Sequence, residues 1–90
     1  MNDMIITELA LTCLACPSQW NGTLSDGRPL YIRYRHGYLS ASFGVAGEQI
    51  FGLHVPGADI YDGFMELDEM LQYTGLHLAP GVIVAERWDE

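Results

Sequence analysis

The stretch Arg28–Phe43, RPLYIRYRHGYLSASF, constrains the fold of this chain more than any other. At its centre, His36-Gly37 suits a two-residue hairpin turn, because glycine takes positive φ freely and histidine tolerates it better than most residues. Such a turn pairs Arg35 with Tyr38, Tyr34 with Leu39, Arg33 with Ser40, Ile32 with Ala41 and Leu30 with Phe43. The large apolar side chains then share one face: Leu30, Ile32, Tyr34, Leu39, Ala41 and Phe43. Tyr31, Arg33, Arg35, Tyr38, Ser40 and Ser42 share the other. A slip of one residue would scramble this sorting, so the register is self-consistent.

The flanking segments extend the pattern. WNGTLSDGRP reads as another strand turning at Ser25-Asp26-Gly27. A three-residue loop ending on Gly27 puts Trp20 opposite Ile32 on the apolar face, whereas a two-residue Asp-Gly turn puts Trp20 and Leu24 beside Arg33. Both remain open at this level. Phe51, Leu53 and Val55 alternate with Gly52 and His54, which predicts a fourth strand after a loop at residues 45–48.

Residues 5–12 fit either a strand or a short helix through Ile6, Leu9 and Cys13, and Pro17 ends either element at Cys16. Phe64, Leu67, Met70, Leu71 and Thr74 recur at helical spacing. Asp62 is the expected N-cap, Glu66 lies in the first turn, and Gly75 is the stop. Gly81–Arg87, GVIVAER, is β-branched and apolar on both sides, which predicts an inner or covered strand. The expectation is one α+β domain over residues 1–90: a mostly antiparallel, meandering sheet of about five strands with one helix packed on one face.

Composition narrows the function classes. The chain has 90 residues, 49% of them hydrophobic, enough for a single core and against global disorder. No apolar run reaches the roughly 20 residues needed to span a bilayer. Met1-Asn2-Asp3-Met4 lacks the basic start of a signal peptide, so the expected location is the cytoplasm, without a membrane partner. Residues 1–35 carry Asp3, Glu8 and Asp26 against Arg28, Arg33 and Arg35; residues 36–90 carry nine carboxylates against Arg87 alone, which yields the net −8. A field of that sign repels nucleic-acid phosphates and attracts basic protein surfaces.

Two surfaces follow as candidate partner-binding sites. Asp59, Asp62, Glu66, Asp68 and Glu69 form a carboxylate stretch with no basic residue between them; the same letters also describe a solvated helix face. Arg33 and Arg35, flanked by Tyr31 and Tyr38, combine residue types enriched at binding hot spots and suited to cation–aromatic stacking. Assembly with a second copy of the chain stays open.

Cys13 and Cys16 form a C-x-x-C pair and supply the alternative, a small zinc- or thiol-dependent domain. A structural zinc site wants four ligands in two closely spaced pairs, and His36, His54 and His77 are singletons. Redox work wants the pair at a helix N-terminus, but Pro17 and an expected strand follow. Asp62, Gly63, Met65, Glu66 and Glu69 match part of a calcium loop, yet Ala58 and Ile60 occupy its first two ligand positions. No clustered acid–base constellation points to an enzyme, and no cofactor is implied.

Cys16-Pro17-Ser18-Gln19-Trp20, Tyr31-x-Arg33-Tyr34-Arg35-x-Gly37 and DGFMELDEMLQYTG resemble a group of short acidic proteins from actinobacteria and their phages, a group without an assigned activity. The resemblance implies a bacterial or phage origin and carries over no catalytic residue. By analogy of size and charge with other small phage proteins, including anti-CRISPR proteins, it suggests an inhibitor that blocks basic surfaces.

Overall fold

The computed structural model describes residues 4–13, 18–45, 47–58 and 63–86. Its strands are β1 (Ile5–Cys13), β2 (Ser18–Leu24), β3 (Pro29–Arg35), β4 (Tyr38–Ser42), β5 (Gln49–His54), β6 (His77–Leu78) and β7 (Ala85–Glu86), with one helix, α1 (Leu67–Thr74), between β5 and β6. The strand order is β5-β4-β3-β2-β1-β6, with β7 also paired to β1. The class is α+β, and the sheet is a strongly curled half-barrel.

The central hairpin has the register the alternation demands: Arg35 pairs with Tyr38, Tyr34 with Leu39, Arg33 with Ser40 and Ile32 with Ala41. His36 (φ 56°) and Gly37 (φ 76°) both take positive φ, as a type I′ turn requires. The alternative left open at Ser25-Asp26-Gly27 resolves as the three-residue loop. Leu24 N–H donates to the Arg28 carbonyl at 2.9 Å, Gly27 takes φ 88°, and Trp20 pairs with Ile32. Trp20 is accordingly only 2% exposed and lies in the core with Ile6, Leu24, Leu30, Ile32 and Leu39.

Residues 5–13 are strand because both of their edges are used. β2 pairs antiparallel along one edge, while β6 and β7 pair parallel along the other. This corrects the expectation of a mostly antiparallel meander of about five strands: among the described residues seven strands form a mixed sheet. The covered strand expected at Gly81–Arg87 is corrected too. Among the described residues of that stretch only Ala85 and Glu86 pair with β1, and Ile83 is 87% exposed. Between Leu78 and Ala85, residues 79–84 span the interval occupied by only residues 7–9 of β1. The surplus chain turns outward at Gly81 (φ 84°), where Val82 N–H donates to the Ala79 carbonyl.

The helix starts later than its apolar spacing predicts, at Leu67, with Glu66 as N-cap; Asp62 lies outside the described residues. The cause is Ser18. Its N–H donates to the Gly63 carbonyl at 2.7 Å, and its Oγ accepts from Met65 N–H at 2.9 Å. Backbone groups that would open a helix are thus committed to the start of β2. Met65 enters the core at 4% exposure, whereas Phe64 is left 52% exposed. The helix ends where expected, with Gly75 left-handed (φ 75°) and its N–H on the Leu71 carbonyl.

Candidate functional site

On the outer face of the sheet the two tyrosines are tied to neighbours other than the arginines. Tyr31 donates from its hydroxyl to Gln19 Oε1 at 2.8 Å, and Gln19 Nε2 donates to Thr12 Oγ1 at 3.2 Å, a relay from β3 across β2 to β1. Tyr38 accepts from Gln49 Nε2 at 3.0 Å and packs against His54, with ring centroids 4.7 Å apart. The cation–aromatic ladder expected of Arg33 and Arg35 is therefore corrected. Among the described residues the arginine over a ring is Arg28, 4.1 Å from the centroid of Phe43. Cross-strand geometry explains the tyrosine contacts: Gln19 is the diagonal neighbour of Tyr31, which pairs directly with Asn21, and His54 lies directly opposite Tyr38. Arg35 is exposed, while Arg33 is half-buried and its Nε is buried without a hydrogen-bond partner.

The acidic surface is partly described. Glu66, Asp68 and Glu69 are exposed at the start of α1, the latter two in its first turn, where a negative charge complements the helix dipole. Among the described residues none of the three forms an ion pair; the pair present is Arg28 with Asp26, at 2.6 Å. Asp59 and Asp62 lie outside the described residues, as does Cys16. Cys13 ends β1 and is half-buried. Among the described residues no three of His, Cys, Asp and Glu gather as a metal-holding group. No helix among the described residues is long and apolar enough to cross a membrane.

The structure adds a cavity that periodicity did not reveal. A pocket of about 370 Å³ opens between the start of α1 and the ends of β1 and β7. Trp20 and Leu11 line it from the sheet, and Phe64, Leu67 and Val84 from the segments around it. Glu66 and Asp68 stand on the same pocket. Phe64 preceding an acidic run was the available sequence signal; the β-branched run at Gly81–Arg87 signals a strand but not the parallel docking of Ala85–Glu86 on β1 that builds the other wall. A larger open groove, about 610 Å³, lies over Thr7, Glu8, Asn21 and Thr23, with residues 79–83 as its far wall.

Chemically, the outer sheet face offers an arginine-bearing but internally hydrogen-bonded surface, and the helix end offers apolar walls beside unneutralised carboxylates. No family model, curated protein or solved structure matches the chain.

Proposed function

We propose that this protein is a non-enzymatic binding module that docks through its acidic surface on a basic surface of another protein, as a phage or mobile-element inhibitor of the anti-CRISPR kind acting in the cytoplasm. The observation that carries this reading is the exposure of Glu66, Asp68 and Glu69 without a cationic partner among the described residues. Exposed like charges repel one another and gain when a basic surface covers them. Asp59 and Asp62 extend the same charge along the chain. The Tyr31/Arg33/Arg35/Tyr38 face is the weaker docking surface, because both tyrosines already serve internal contacts.

The test is capture of a host protein by the immobilised chain at about 0.05 M and about 0.5 M NaCl, spanning Debye lengths from about 14 to about 4 Å. A triple variant, Glu66→Gln, Asp68→Asn and Glu69→Gln, serves as comparator. Capture lost both in salt and in the variant supports acidic docking. Capture indifferent to either, or no capture at low salt, overturns it.

A further inference from the structure

We infer that the pocket at the start of α1 receives an arginine side chain from a basic segment of the partner. This inference rests on the acidic docking reading and names the contact at its centre. Three features select the occupant. Part of the wall is apolar, formed by Trp20, Leu11, Leu67 and Val84, and suits the methylene stem of a long side chain. Three carboxylates line it, Glu66, Asp68 and Glu86, and carry the sign a cationic head requires; Glu66 and Asp68 are exposed without an ion pair among the described residues. Phe64, half exposed on the same pocket, offers a ring on which a planar guanidinium can stack while pairing with carboxylates. A neutral apolar side chain would leave the carboxylates uncompensated, and an acidic one would be repelled.

Phe64 is also the residue whose exposure the fold enforces. The Ser18 contacts turn Met65 inward, and Phe64 is left facing out beside the acidic turn. An aromatic ring held at a surface next to two carboxylates is an arrangement that a cation fills.

The experiment titrates the full chain, labelled with ¹⁵N, with a short end-capped peptide whose single charge is one arginine, at low salt. The same peptide with citrulline, the neutral isostere, is the control. The expected result is saturable shifts of backbone signals at Phe64, Leu67 and Val84 with the arginine peptide, and none with the citrulline peptide. Phe64→Leu keeps an apolar wall but drops the cation attraction, and it should weaken binding about 3- to 30-fold. Because Phe64 is half exposed, that variant stays folded. Shifts spread along the acidic residues and unaltered by Phe64→Leu overturn the pocket while leaving acidic docking intact. Equal binding of citrulline overturns the charge requirement. No response to a polyarginine peptide at low salt overturns both readings together.

Discussion

The hydroxyl of Tyr38 occupies the space in which a side chain at Gly52 would stand, so the glycine of β5 and the tyrosine of β4 form one packing unit. A Cβ on Gly52 would overlap the Tyr38 hydroxyl and crowd Gln49 Nε2 at 2.6 Å. Both obstacles are ends of flexible side chains. Gly52→Ala should therefore cost only about 1 kcal/mol, through the displaced tyrosine and its hydrogen bond. In a Tyr38→Ala background the same change should cost less or nothing, and a double-mutant cycle in urea reads the difference. Gly22 is the contrasting case. There a Cβ would overlap the Glu8 carbonyl oxygen, which is backbone at the irregular pairing of β1 with β2. Gly22→Ala should cost about 2 kcal/mol or more, because the strands themselves must part. Equal costs at the two glycines would contradict this account.

Ser18 ties β2 to the segment leading into α1. It is 0% exposed, and its Oγ is the acceptor for Met65 N–H, 47 positions away. Ser18→Ala leaves that buried donor unmatched and should lower the unfolding free energy by about 1–3 kcal/mol. Hydrogen exchange should show the loss locally, with faster exchange at Met65. An unchanged rate there would refute the tether.

Asp26 titrates against Arg28. Its carboxylate accepts from Arg28 Nε at 2.7 Å and from Arg28 N–H at 3.0 Å, and these bonds hold its pKa below the ordinary 3.8. A depressed folded pKa means the stabilisation is complete above the unfolded value and is lost as pH falls through the folded one. Urea midpoints of the wild type and Asp26→Asn should therefore differ near neutrality and converge in acid. A gap that widens as the pH drops would reverse the sign and refute the assignment. Both side chains are about half open to solvent, so the gap should be small and shrink further with salt.

Arg33 carries a buried Nε that no acceptor meets. Arg33→Met keeps the apolar stem and removes the unmatched donor. It should leave stability unchanged or raise it by up to about 1 kcal/mol. A loss beyond about 1 kcal/mol would mean that the guanidinium makes a contact in solution that stabilises the fold.

Much of the architecture was legible because it is encoded locally. Alternation of apolar and polar side chains, with His36-Gly37 between, is enough to set the β3–β4 register, since a slip would turn every side chain over. Gly75, free to take positive φ, likewise marks the end of α1. The side on which Trp20 lies was narrowed to two choices by turn chemistry, and the 2.9 Å bond from Leu24 to Arg28 selected one.

The remainder rests on contacts between distant parts of the chain. Two-residue strands such as His77–Leu78 and Ala85–Glu86 are too short to carry periodicity; only the free edge of β1 makes them strands. The delayed start of α1 follows from Ser18, whose partner lies far along the chain, and no helical wheel registers that competition. The proposed site has the same character. The carboxylates Glu66, Asp68 and Glu69 could be read directly as a charge run. The partly apolar pocket beside two of them exists because Leu11, Trp20, Phe64 and Val84, from four separate segments, meet when the sheet curls. Charge is a property of composition, whereas a cavity is a property of packing, and only the folded chain brings the two together.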